Sequence, residues 1–210
     1  MHYKSDLPLL IALVLGVLGI VLGHHALAQE SNEPVLLIAH PLLAATYAHT
    51  VLIAIPMPDN RHAGLIINRP TERSLSSLFP EHEPSKRVIA RVNFGGPVMA
   101  NSLFAVVRAQ QSPGDGSLPF IPGVFLVTHA KTIDQIIERK PNEARYYVGF
   151  VAWKPGELDE ELQKGFWCVM KPDAELLFRD TATGMWEELV KRVGACKGNG
   201  KAVRASVARP

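Results

Sequence analysis

The chain has 210 residues, of which 47% are hydrophobic and 20% are charged, and this composition suits one globular domain with a sizeable core plus terminal extensions. Sixteen glycines and sixteen prolines argue against a helical bundle and favour a turn-rich fold. The formal net charge is only +2. It is unevenly spread, because residues 191–210 carry basic side chains and no acidic one, whereas the body of the chain is mildly acidic.

Residues 1–28 have the three parts of a secretory signal peptide. His2 and Lys4 form a short basic start, residues 7–23 are apolar, and Ala26 and Ala28 form an A-x-A exit. We therefore predict cleavage after Ala28 and a periplasmic or secreted protein. The apolar run also reaches the lower limit for a bilayer span, so an uncleaved membrane anchor at residues 7–23 is the alternative.

The chain from residue 29 to residue 194 is predicted to alternate irregularly between strands and helices. Strands are expected at residues 34–39, 49–55, 63–68, 88–94, 102–109, 124–128, 145–153 and 166–170. Helices are expected at residues 74–79, 131–140, 155–165, 172–178 and 184–194. Residues 56–62 are predicted to be a turn, 80–87 an exposed linker and 110–123 a long loop. Early hairpins within this order predict one compact α+β domain, and residues 195–210 are predicted to be a basic disordered tail.

The two cysteines, Cys168 and Cys196, are candidates for a disulfide if the chain is exported. Cys168 lies in a predicted buried strand and Cys196 follows the last predicted helix, so a bond would tie the C-terminal segment to the body. The alternative is one buried and one exposed thiol. No C-x-x-C motif is present, which argues against a thioredoxin-type redox site.

Motifs for catalysis, metals and cofactors are absent from the sequence. No G-x-S-x-G, S-x-x-K or H-E-x-x-H occurs. The "EHE" at residues 81–83 lies in a polar segment, and a solvated surface is a better interpretation of it than a metal site. We therefore predict no metal and no cofactor, although a hydrolase that draws Ser, His and Asp from distant segments stays open.

The segment "NFGGPV" at residues 93–98 raises the question of a nucleotide site. No lysine follows the glycines and a strand, not a helix, is predicted after them, so neither a P-loop nor a dinucleotide fingerprint is matched. Pro97 also removes one backbone N–H donor. Gly95 and Gly96 are instead predicted to permit a positive φ or a tight crossing of the backbone.

An ordered set of motifs resembles the AlgH/YqgE family, also catalogued as UPF0301. The motifs are "LLIAHP", "TVLIAI", "GLIINRP", "NFGGPV", "SLFAVV" and "YYVGFVAWKPGELDEEL", spread over residues 36–162. The resemblance implies a mixed, bifurcated sheet that forms a pseudo-barrel with peripheral helices. It implies no established enzymatic activity, and family members often carry a transcriptional-regulator label.

The resemblance also implies candidate binding positions, which are Asn68, Arg69, Gly95, Gly96, Trp153 and Glu157. Arg69 and Trp153 are the candidates for recognition because Arg and Trp are favoured at binding hot spots. The alternative places Arg69 on a rim and Trp153 in the core. Asn68 is expected to bond its own turn and Pro70 to end a strand.

The sequence departs from the family pattern in three respects, which argue against a binding site on the first hairpin and against a function on DNA. Alanines replace an acidic residue after Pro41, the hairpin reads "AIPMPDN" where a Glu-His pair is usual, and the family is usually cytoplasmic. We therefore expect an exported, non-enzymatic binding module whose partner is an envelope protein. The basic tail could bind anionic lipid. The alternative is a regulator that uses the tail on DNA, which an exported protein does not meet.

Overall fold

The computed structural model describes residues 33–43 and 45–194, in which ten strands and five α-helices follow one another. The strands are β1 Val35–Ala39, β2 Val51–Met57, β3 Arg61–Ile66, β4 Pro70–Ser74, β5 Arg91–Phe94, β6 Val98–Arg108, β7 Ser117–Ile121, β8 Val124–Val127, β9 Ala144–Trp153 and β10 Trp167–Met170. The helices are α1 Leu75–Leu78, α2 Ala130–Arg139, α3 Glu157–Gln163, α4 Ala174–Leu177 and α5 Met185–Val193, with short 3-10 helices at Ala45–Tyr47 and Glu83–Arg87.

The strands form one mixed sheet that curls into a half-barrel, which confirms the predicted fold class. Eight strands follow the order β10-β1-β2-β3-β9-β6-β8-β7, and β4 and β5 branch from this path. Neighbours on the main path are antiparallel, while β5 runs parallel to β9. Antiparallel pairs need only short connections, which explains the early hairpins.

The branch of the sheet lies on β9. One side of β9 pairs with β6 over most of its length. The other side is divided, because β5 pairs with Tyr147 and Val148 whereas β3 pairs with residues 151–153. Gly149 lies between these two partners. The position of this glycine therefore marks the fork of the sheet.

The two first strands are buried on both faces. Leu36 and Ile38 of β1 belong to a core cluster inside the half-barrel, whereas Leu37 and Ala39 pack in a second cluster that also contains Trp153. Alternate residues of a strand point to opposite faces, so burial on both sides requires a continuous apolar run. The sequence "VLLIA" supplies that run, and the prediction of a buried strand here is confirmed.

The predicted helices occur with the expected buried faces. In α2, Ile133, Ile136 and Ile137 pack on a third core cluster, as their spacing predicts. Helix α1 begins after Ser74, whose side chain accepts a hydrogen bond from the Ser77 N–H (3.1 Å), so the predicted N-cap is confirmed.

Three segments differ from the prediction. Pro70 begins β4 instead of ending a strand, a position that proline tolerates because the first strand residue need not donate. Strand β7 lies within the predicted loop 110–123. The predicted exposed linker 80–87 contains a 3-10 helix whose Ser85 is completely buried and donates its hydroxyl to the His82 carbonyl (2.7 Å). These segments are polar or contain proline, so local propensity did not indicate their structure.

Candidate functional site

The two glycines of "NFGGPV" pass directly against β9, as the predicted tight crossing requires. The Gly95 N–H donates to the Val148 carbonyl (2.9 Å) and the Ile66 N–H donates to the Gly95 carbonyl (2.9 Å), so the segment joins β9 to β3. A Cβ atom on Gly95 would lie 2.3 Å from the Gly149 carbonyl oxygen, and one on Gly149 would lie 2.1 Å from that of Gly96. Only glycines permit this approach.

Asn68 and Arg69 organise the connection between β1 and β2. The Asn68 side chain accepts from the Val51 N–H (2.9 Å) and donates to the His49 carbonyl (2.8 Å), so it bonds residues far along the chain and not its own turn. Arg69 donates through Nη2 to the Thr50 hydroxyl (2.7 Å) and also to the Thr46 carbonyl. Burial lowers the pKa of Arg69. Both side chains are half-buried in these contacts.

Trp153 lies in the core and shares one acceptor with a second tryptophan. Its side chain is only 4% exposed, and its Nε1–H donates to Glu161 Oε2 (2.9 Å), to which Trp167 also donates (2.7 Å). Tyr47 packs edge-on against Trp167, and burial, followed by the charge of Glu161, raises the pKa of Tyr47. Glu161 therefore fixes two buried indoles that the sequence motif alone did not connect.

The other candidates make no hydrogen bond to Glu161 among the described residues. Glu157 is exposed at the start of α3 and accepts from the Lys154 N–H (2.8 Å), where its charge favours the helix N-terminus. Cys168 is buried on β10. Cys196 lies outside the described residues, so the disulfide stays a prediction. A recognition role for the six motif residues likewise stays a prediction.

A separate concave surface, the β6–α2 groove, has the form of a binding site. It is lined by Phe79, His82, Met99, Asn101, Ser102, Leu103, Phe104, Thr128, Ala130, Lys131, Ile133, Asp134 and Ile137, and its volume is about 760 Å³. None of the six motif residues lines it. Its floor is apolar, and two large apolar side chains on its rim are exposed to solvent, Phe79 at 41% and Met99 at 58%.

A close contact between a histidine and an aspartate lies in the lining of the groove. His82 Nε2 lies 2.9 Å from Asp134 Oδ1, and the His82 side chain is 29% exposed. Ser102 lines the same groove. Apolar side chains and these polar groups therefore line the groove together.

Sequence reasoning missed the groove because its sides come from three separated segments. The "EHE" motif was interpreted as solvated surface, but His82 contacts α2 through Asp134. The local sequence gives one indication of an exposed apolar surface. Two apolar residues, Val98 and Met99, directly follow Pro97, and the polar Asn101 lies two residues further along. That signal could not reveal which element faces the strand.

Comparison with known proteins identifies the family. The family model described as AlgH-like, DUF179, matches residues 36–197. The chain belongs to the AlgH-like family. A UPF0301 protein of Methylococcus capsulatus is 28% identical over 165 residues, covering 75% of this chain and 89% of that relative. A UPF0301 protein of Pelodictyon phaeoclathratiforme is 25% identical over 162 residues, covering 76% of this chain and 84% of that relative.

Solved structures support the same fold for this AlgH-like chain. The solution structure of the AlgH protein from Pseudomonas aeruginosa superposes with a TM-score of 0.65 at 22% identity, covering 84% of this chain and 93% of the other. The crystal structure of DIP2367 from Corynebacterium diphtheriae superposes with a TM-score of 0.64 at 21% identity, covering 78% of this chain and 87% of the other. These likenesses confirm the predicted fold class, and the family model confirms the predicted family.

The described part of the AlgH-like domain has neither a membrane-spanning helix nor a cluster of three metal-ligating side chains. Within residues 33–43 and 45–194, no helix is both long and apolar enough to cross a membrane. In the same ranges, no three His, Cys, Asp or Glu side chains converge as a possible metal site. The apolar run 7–23 and the basic tail 195–210 lie outside the described residues, so signal cleavage, anchoring and lipid binding stay predictions.

Proposed function

We propose that this AlgH-like protein is a non-enzymatic binding module that takes an extended segment of a partner protein into the β6–α2 groove. The observation that carries the proposal is an open strand edge opposite a helix. Strand β8 pairs with β6 only from Ala105 to Arg108. In the described part of the chain, residues 98–104 have no strand neighbour on that side, and α2 lies across the gap instead.

An open strand edge can accept an additional strand through its main-chain groups, and pockets for alternate side chains then give specificity. The register with β9 shifts between Val98 and Leu103, so this stretch is bulged and its open edge is shorter than seven fully extended residues. Side chains from both faces of β6, Leu103 and Phe104, line the groove, as expected where the groove runs along the strand edge itself. The mixed lining suits a peptide with apolar side chains and a polar backbone.

The rim of the groove carries two features that favour recognition. Met99 has a φ of 50°, which is uncommon for a residue other than glycine, and residues with such a backbone cluster at binding and catalytic sites. Phe79 and Met99 together expose apolar surface at the place where an incoming chain would pack. Lys131 and the His82–Asp134 pair add polar groups that can set the orientation of the bound segment.

Removal of the exposed apolar rim is expected to weaken peptide binding at least tenfold. The reason is that two apolar side chains of the protein, against which the bound peptide would pack, are lost. The test pans a library of random linear peptides against the purified protein and measures selected peptides by fluorescence anisotropy. The variant is Phe79→Ser with Met99→Asn, and asparagine is chosen since it tolerates positive φ. N-methylation of alternate peptide amides should weaken binding similarly if the peptide adds as a strand.

Ile89→Asn is the matched control, because Ile89 is 86% exposed and lies outside the groove. Arg69→Ala separately tests the surface that the family motif suggested. Retention of affinity by the groove variant, together with loss in Arg69→Ala, would move the binding site to the motif surface. Equal losses in Ile89→Asn and the groove variant would contradict the proposal.

We also propose export with signal cleavage and a Cys168–Cys196 disulfide. Support comes from the A-x-A exit at Ala26 and Ala28 and from the even cysteine count. Protein isolated from the native envelope fraction is expected to have the intact mass of residues 29–210 and to gain about two hydrogens on reduction, since each freed thiol takes up one. A full-length mass that reduction leaves unchanged would instead indicate an anchored protein with free thiols.

A further inference from the structure

A second concave site lies between β5, β9 and the segment that joins α4 to α5. Its lining residues are Ile67, Pro70, Ala90, Arg91, Asn93, Arg145, Leu177, Arg179, Asp180, Thr181, Ala182, Thr183 and Met185, and its volume is about 260 Å³. Three of these residues are arginines and one is acidic. The β6–α2 groove shares none of them. We call this site the arginine pocket.

Arg145 is the most enclosed of the three cations. Its side chain is 14% exposed, and its Nη2 donates to the Phe178 carbonyl (2.7 Å) and to Asp180 Oδ1 (3.0 Å). These bonds use one of the three guanidinium nitrogens, which together carry five N–H donors. The Asp180 side chain is fully exposed, so this ion pair is weakly held and a ligand oxyanion can replace the carboxylate.

The other two arginines extend the positive surface. Arg91 is exposed and donates through Nη1 to the backbone carbonyl of Glu72 (2.8 Å). This carbonyl is a neutral group, so the contact does not neutralise the charge of Arg91. Arg179 donates to Glu188 Oε2 (2.7 Å), and Arg192 also contacts Glu188. One carboxylate is thus shared by two guanidinium groups. The pocket therefore retains a net positive charge.

The start of helix α5 lies at this side of the pocket. Met185, the first residue of the nine-residue helix, lines the pocket, and its N–H already donates to the Ala182 carbonyl (3.1 Å), so the helix contributes its dipole here. A helix N-terminus favours negative charge. Thr181 and Thr183 add hydroxyl groups to the lining.

We propose that the arginine pocket binds the phosphate group of a small ligand, either inorganic phosphate or a phosphomonoester. Planar guanidinium groups match phosphate oxygens with paired, charge-assisted hydrogen bonds, and three of them line this pocket, whose volume of about 260 Å³ admits a phosphate group together with a small organic substituent. No phosphate motif is visible in the sequence because residues 91, 145 and 179 come from three separate segments. The proposal is independent of peptide binding in the β6–α2 groove.

The test titrates the purified protein with inorganic phosphate and, separately, with phenyl phosphate, at constant ionic strength set by chloride, and follows binding by calorimetry. Saturable binding of one or both is expected. Arg145→Gln should weaken it about tenfold or more and Arg91→Gln about fivefold, because each removes a charged donor. Tighter binding of phenyl phosphate would identify esters as the ligand, and equal or tighter binding of inorganic phosphate would identify the free ion.

Arg61→Gln is the control, since Arg61 is also exposed and lies in the β2–β3 hairpin, away from the pocket. It should change phosphate affinity by less than about twofold. If Arg145→Gln fails to fold because the Phe178 carbonyl loses its donor, Arg91→Gln decides the outcome, since Arg91 is on the surface. Absence of saturable binding, or an equal loss in Arg61→Gln, overturns the proposal.

Discussion

Substitution of Gly149 by alanine is expected to lower the free energy of unfolding by more than about 4 kcal/mol, enough to unfold many domains. The new Cβ would lie 2.1 Å from the Gly96 carbonyl oxygen and 3.0 Å from that of Val98. Both obstacles are backbone, so neither can rotate away as a side chain would. Gly149 also has a φ of 70°, which costs an L-residue about 1–2 kcal/mol.

Gly156→Ala separates these two costs. Gly156 has a φ of 76°, nearly that of Gly149, and a Cβ there would meet no atom within 4 Å. Its substitution should therefore cost only the conformational part, about 1 kcal/mol. Urea denaturation of both variants measures the difference. Similar stabilities for Gly149→Ala and Gly156→Ala would show that the backbone crossing can open, and the proposed role of the glycine pair would be wrong.

Glu161→Ala is expected to lower the free energy of unfolding by about 2–5 kcal/mol, because two indole N–H groups lose their shared acceptor. Trp153 and Trp167 are 4% and 5% exposed, so water cannot readily replace the carboxylate. Both indoles should also report the change directly through their fluorescence. The measurement is urea unfolding followed by tryptophan emission.

Two variants test whether the loss comes from the acceptor. Glu161→Gln keeps an amide oxygen with two lone pairs, so it should lose less than about 1.5 kcal/mol. Glu160→Ala removes a neighbouring carboxylate whose contact is an exposed pair with Lys164, and about 0.5 kcal/mol or less should be lost. A Glu161→Ala protein as stable as Glu160→Ala would show that the indole bonds contribute little.

The elements that sequence reasoning predicted well share a strong local pattern. β1 and β2 are continuous apolar runs, and α2 places three isoleucines on one face. Such patterns are visible locally because burial on two faces, or on one helical stripe, fixes the spacing of apolar residues. The glycine pair was also interpreted correctly as a structural feature, since the absence of a following helix and lysine excludes phosphate-loop geometry.

The elements that were missed owe their structure to the strands with which they pair. β4 contains Pro70 and four polar residues, and it pairs with β5 about twenty residues later. β7 lies in a segment rich in glycine and proline and is paired with β8. Strand formation there follows from a hydrogen-bonding neighbour and not from intrinsic propensity, which is context-dependent in sheets.

The sequence by itself determined the family, the α+β class, the buried central strands and the glycines of the crossing. Each of these depends on which residue types succeed one another along the chain. Only the tertiary structure decided that Asn68 and Arg69 hold the β1–β2 connection, that Glu161 joins two tryptophans, and that a groove and an arginine pocket exist. These features bring together residues from separate segments, and their distances are set by how the sheet curls and forks, which no local pattern specifies.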